Sequence, residues 1–204
     1  MRHYAPLALV GLLLVMIQPV IRAEDGKAQK ERAIAEIRKL GGKVEVDARS
    51  PGMPVVAVDL KHTKFVDASL EHLQGLTELE KLYLKDTEVT DDGLVYVKGL
   101  TNIEVLELGR TKVTDRGLGC LKGFTKLQRL DLGGTQVTDK GLKRLKGLTN
   151  LETLGLANTG VTDAGLVHLR GLTNLRKLDL GGTKVTDAGG QALQKALPKV
   201  EITH

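Results

Sequence analysis

Between Gly147 and Arg170 the chain reads GLTNLETLGLANTGVTDAGLVHLR, with leucine or valine at fixed positions and polar residues between them. The Gly-Leu-Thr or Gly-Phe-Thr triplet that opens this segment also stands at Gly75, Gly99, Gly123 and Gly171, a period of 24 residues without insertion or deletion. A period of this length marks one supersecondary unit that buries its apolar face only by stacking on its neighbours, a solenoid. Within a unit, Leu79, Leu82 and Leu84 are followed, after a polar turn, by Val89, Leu94 and Val97. Two-residue alternation predicts a short parallel strand with Leu82 and Leu84 inward and Lys81, Tyr83 and Lys85 outward. Successive strands are expected at 56–60, 80–84, 104–108, 128–132, 152–156 and 176–180, with a truncated seventh at 200–202. The later apolar residues fall at helical spacing and predict one short helix per unit.

Upstream the pattern changes. Residues 24–40 are rich in helix formers, with Ala33, Ile34, Ile37 and Leu40 on one face and Gly41-Gly42 as the stop; 43–47 then alternates like a strand, and 50–54 is a turn. An open solenoid exposes its first strand edge and core layer, so 24–54 is expected to be an N-terminal helix-strand cap on a repeat domain of about six units, 55–204. Residues 1–23 carry Arg2, an apolar run from Leu7 to Ile17, and Ala23 at the expected cut. That order reads as a secretory signal peptide; the apolar run is short of the roughly 20 residues that span a bilayer. An uncleaved anchor is the alternative. An extracytoplasmic location follows from the first reading, with no stable membrane span after cleavage.

Two polar columns recur. Thr63, Thr87, Thr111, Thr135, Thr159 and Thr183 follow the strands and are expected to bond the next unit's backbone. Asp67, Asp91, Asp115, Asp139, Asp163 and Asp187 precede the helices and are expected to be their N-caps. Calcium ranks far below, because metal loops need several oxygens on one point and these acids come one per turn. Lys98, Lys122, Lys146 and Arg170 precede the recurring glycine, where cations favour a helix C-terminus. Stacking lines these four into a ridge that a polyanion could use.

Composition narrows the function. Aromatics are 2% and Trp is absent, so the core is aliphatic, and no aromatic residues are interleaved with the ridge to stack bases. No nucleic-acid partner is expected. The net charge is +5; removing residues 1–23 takes Arg2 and Arg22 and no acid, leaving 28 basic against 25 acidic side chains, a net +3. Only Ser50 and Ser69 are serines, the histidines show no metal-ligand spacing, and Cys120, the single cysteine, sits in a helix slot without an identifiable base. No enzyme activity, cofactor or metal is expected.

The positions free to differ between copies are the outward strand residues. Tyr83 is the one aromatic among them, and Tyr and Arg are common anchors of interfaces. The centre of a contact is therefore expected around Lys81, Tyr83, Lys85, Glu107, Arg110, Arg129 and Asp131, with the glycine- and alanine-rich later units flat and poorly suited to gripping a ligand.

The Thr-x-Val-Thr-Asp-x-Gly-Leu units resemble bacterial leucine-rich-repeat proteins of planctomycete type, and are similar in pattern to the repeat region of F-box-like and cysteine-containing leucine-rich-repeat proteins. The Leu-Thr-Asn-Leu segments are also similar to internalin-like adhesins. The resemblance implies an α/β, right-handed leucine-rich-repeat solenoid, a horseshoe with parallel strands on the concave face and short helices on the convex face. Functionally it implies a protein-interaction scaffold; together with the export signal and the variable outward strand residues, the expectation is an exported module binding a protein or surface polymer through the concave sheet. A self-associating structural protein is the alternative; an F-box-like adaptor role or an enzyme ranks lower.

Overall fold

The computed structural model describes residues 26–204; the expected signal peptide lies outside the described residues. Helix α1 (26–39) buries Ala33 and Ile37 and leaves its charged side chains outward, as its one-sided apolar pattern requires. Strand β1 (Lys43–Val46) then pairs antiparallel with β2 (Val55–Asp59), so a hairpin covers the first edge of the sheet.

From β2 onward every neighbour is parallel and sequential. Strands β3 (Lys81–Tyr83), β4 (Val105–Glu107), β5 (Arg129–Asp131), β6 (Thr153–Gly155), β7 (Lys177–Asp179) and β8 (Glu201–Thr203) complete one eight-stranded open sheet in chain order. The register advances by 24 residues per strand, as in Leu82↔Leu106 and Leu106↔Leu130. Repeat strands are three residues long rather than the five expected, because the backbone turns just past the second inward leucine. The ladder nevertheless continues beyond them, with Leu84 N–H bonding Glu107 C=O at 2.8 Å and Asp86 N–H bonding Gly109 C=O at 2.9 Å.

Behind the sheet stand α2 (Asp91–Val97), α3 (Asp139–Leu142), α4 (Asp163–Leu166) and α5 (Asp187–Ala196), with 3-10 turns at Asp67–Leu73, Gly117–Gly123 and Lys143–Gly147. Between the layers lies a single apolar column in which Leu82, Leu106, Leu130 and Leu154 are wholly buried, closed by Leu197 and Val200 at the far end; the core expected to be aliphatic also takes in Phe65 and Phe124.

The two polar columns divide their work differently from the expectation. Each of α2 to α5 is capped by the threonine before the aspartate: Thr162 Oγ1 accepts Ala164 N–H at 3.2 Å, and Thr90, Thr138 and Thr186 cap in the same way. The aspartate, freed from capping, reaches into the next unit. Asp139 Oδ1 accepts Thr162 N–H at 2.8 Å and Oδ2 accepts the Thr162 hydroxyl at 2.7 Å, and the same bracket joins Asp67 to Thr90, Asp91 to Thr114, Asp115 to Thr138 and Asp163 to Thr186. The first threonine column turns back on its own strand instead of bonding the next unit: Thr87 Oγ1 donates to Leu84 C=O at 2.7 Å, as Thr111, Thr135 and Thr159 do to theirs.

Candidate functional site

Side chains on the open face of the sheet come from two outward positions per strand, so register sets which of them meet. In the N-terminal half they largely satisfy one another. Lys61 Nζ lies 4.6 Å from the centre of the Tyr83 ring and 3.7 Å from Asp59, so the face of the expected aromatic anchor is already covered by a cation. Lys81 and Lys85 are half-buried and form no ion pair among the described residues. Arg110 does not belong to the strand rows; it sits in the strand-exit turn at φ 55° and forms an ion pair with Asp86 at 2.8 Å. Asp86 Oδ2 is buried without a hydrogen bond, the His62 ring nitrogen standing 3.1 Å away in a geometry that makes none. Glu107 is mostly buried, 3.5 Å from the Arg129 guanidinium.

The hollow lies in the other half. A cavity of about 390 Å³ opens over β5 to β8, lined by Arg129, Asp131, Thr153, Gly155, Lys177 and Asp179 and closed at its far rim by Glu201 and Thr203. The later units, expected to be flat, are thus the ones that carry the hollow. Thr153 and Gly155 are small, but the strands on both sides carry long or charged side chains, and small between large makes a trough. Arg129 and Asp131 belong to this site together; Tyr83 and its neighbours do not line it. Lys177, Asp179 and Glu201 were missed by the sequence argument, although Lys177 and Asp179 stand in the same columns as Arg129 and Asp131. Asp131 is held in place through Oδ1, which accepts Gly133 N–H at 2.9 Å, and Asp179 through the equivalent bond to Gly181 at 3.0 Å.

Comparison with known proteins agrees with the fold. A family model described as "Leucine Rich repeats (2 copies)" matches residues 149–195, and a "Leucine Rich repeat" model matches residues 125–146. The fold is a leucine-rich-repeat solenoid. The solved structure of an internalin (inlF) from Listeria monocytogenes is similar over 65% of this chain and 36% of that one, at 27% identity and a TM-score of 0.57. A second Listeria monocytogenes internalin (inlC2), covering 76% of this chain and 87% of its own, shares the fold at 21% identity and a TM-score of 0.50. This chain therefore spans about a third of the first internalin's length. No curated protein matches it.

On the helical side of the leucine-rich-repeat stack, Lys98, Lys122, Lys146 and Arg170 are all exposed and form no ion pair among the described residues. They form a ridge by stacking, one cation per unit, as the period requires. Cys120 is half-buried in the 3-10 turn Gly117–Gly123, where burial pushes its thiol up against the opposing pull of Lys98. A raised thiol is a poorer nucleophile at neutral pH. Among the described residues no His, Cys, Asp and Glu cluster could hold a metal ion, and no helix is long and apolar enough to cross a membrane.

Proposed function

We propose that the protein is exported by residues 1–23 and binds a protein partner through the concave face of its sheet, without catalysis. The observation that carries this reading is the hollow over β5 to β8, which stands where the copies differ from one another while the leucines, threonines and aspartates of the stack stay constant. Export is supported by the order of basic, apolar and small residues before Glu24. Planctomycete-type origin, with the resemblance it rests on, belongs to the same reading.

Self-association by stacking one molecule's last unit on another's first is less well supported. The first unit has Val66 and Ser69 where later units have the threonine and glycine that receive a neighbour's aspartate, and α1 packs over it. A linear polyanion on the ridge Lys98, Lys122, Lys146 and Arg170 is a second reading, favoured by the absence of ion pairs there among the described residues; it predicts binding to acidic polymers that falls steeply with salt.

Photocrosslinking in the native cell tests the main proposal. A photoreactive residue in place of Thr153 is expected to form a covalent adduct with a protein, and one in place of Lys122 is not. Adducts from Lys122 alone would move the interface to the helical side.

A further inference from the structure

The two outward positions of β5, β6 and β7 form two rows across the sheet. Register places Arg129, Thr153 and Lys177 in one row, and Asp131, Gly155 and Asp179 in the other. Each row thus has like charges on its flanks and a small residue in the middle: two cations around a threonine, two carboxylates around a glycine. The flanking strands are two inter-strand spacings apart, about 9.6 Å, which is room for one extended chain; the rows are two residues apart along the strands, about 6.7 Å.

The charges at the flanks have capacity to spare. Lys177 forms no ion pair among the described residues, and the exposed Arg129 guanidinium stands 3.5 Å from the mostly buried Glu107, with no hydrogen bond between them. A Cβ at residue 155 would stand 2.7 Å from Asp131 Oδ1, so the carboxylate overhangs the trough because Gly155 is there. Asp179 is fixed through Oδ1, leaving Oδ2 without a hydrogen bond among the described residues. Glu201 lies next to Lys177 in register, on the outer side of the trough.

We infer that the trough over β6 seats an extended segment of the protein partner carrying one acidic and one basic side chain two residues apart. An extended chain repeats its same-face side chains every two residues, about 6.7 Å, the separation of the two rows. The acid then lies over Thr153 between Arg129 and Lys177, and the base over Gly155 between Asp131 and Asp179. Adjacent charges would not serve, because successive side chains point to opposite faces. This deepens the concave-face reading and rests on it.

The probe is a labelled, end-blocked peptide, Thr-Val-Glu-Val-Lys-Val-Thr, titrated against the purified full chain at low salt. It is expected to bind about fivefold or more tightly than Thr-Val-Glu-Lys-Val-Val-Thr, and more tightly than versions with Glu at both or Lys at both charged positions. Lys177→Gln is expected to weaken the Glu-x-Lys and Glu-x-Glu peptides about twofold and to leave Lys-x-Lys unchanged or improved; Asp179→Asn is expected to do the reverse. Misfolding would not sort peptides by sign. Equal binding of the adjacent-charge peptide, preference for either single-sign peptide, or absence of binding would overturn the inference. An adduct from position 153 in the cell, obtained together with any of those results, would leave the concave-face reading standing and remove only the peptide chemistry.

Discussion

Asp139 serves two neighbours that lie in a different unit. Its oxygens hold the backbone and hydroxyl of Thr162, and its Oδ1 occupies the space where a Cβ on Gly165 would stand. The glycine of Asp-x-Gly is therefore set by the aspartate of the preceding unit, and the first unit, which has no predecessor in the stack, carries Ser69 there. Gly165→Ala must displace the carboxylate and is expected to cost about 1–3 kcal/mol, while Gly147→Ala, with open space at its Cβ, should be near neutral. In a double-mutant cycle by urea unfolding, Asp139→Ala should remove most of the extra cost at residue 165; additive losses would dissolve the pairing. The last bracket adds a pH dependence. The Thr186 backbone N–H, then its hydroxyl, hold the Asp163 carboxyl below the usual carboxylate value. A depressed folded-state pKa contributes stability that is present above the unfolded value of about 3.9 and is lost as pH falls through the folded one. An NMR titration should accordingly show Asp163 protonating at lower pH than an unperturbed aspartate, with Thr186 N–H protection lost as it does so. Both columns are plain in the sequence; their partners are not, because the bond joins residues 23 apart and local capping chemistry offers a nearer explanation for the same aspartate.

At the scale of the element, the short helices depend on one hydroxyl each. Thr90, Thr138, Thr162 and Thr186 approach their helices in extended conformation and accept an amide from the first turn; Val66 has the same backbone conformation at φ −125° and ψ 167° but no acceptor, and a 3-10 turn follows it, as one also follows Thr114, whose hydroxyl does accept Arg116 N–H. Val66 is also 45% exposed, so it gives up little burial on replacement. Val66→Thr is therefore expected to stabilise the protein by about 0.5–1 kcal/mol, read as a higher urea midpoint at unchanged slope. No gain would mean that the first unit is fixed by α1 and the β1–β2 hairpin rather than by its own cap. The strands carry the opposite lesson. Their inward leucines were legible from alternation alone, whereas the hollow was not, because it depends on what flanks β6. Thr153 and Gly155 look featureless along the chain; between Arg129 and Lys177, and between Asp131 and Asp179, they are the floor.

Across the whole molecule each unit touches only its neighbours, and every inter-unit device repeats at one spacing, so the stack should tolerate loss of a complete unit. Removing residues 75–98 brings β2 against β4, gives Asp67 a new Thr114 to bracket, and sets Gly117 where the Asp67 carboxylate requires a glycine. Core layers rejoin leucine to valine or leucine, with Val58 facing Leu106. The deletion breaks the Asp86 links to His62 and Arg110, so the thermal midpoint should fall, and the denaturant slope should shrink with the surface removed. Circular dichroism should stay native in shape. A deletion of half a unit, residues 75–86, removes β3 but keeps α2, so two helical segments follow one another with no strand between them, and the chain should unfold. The whole-unit deletion also separates the two halves of the concave face. It removes Lys81, Tyr83 and Lys85 and leaves β5 to β8 with their rows of charge intact, so Thr-Val-Glu-Val-Lys-Val-Thr should bind within about twofold of its affinity for the full chain. Lost binding by a deletion variant of native circular dichroism would place the decisive contacts around Tyr83, where the aromatic residue first pointed.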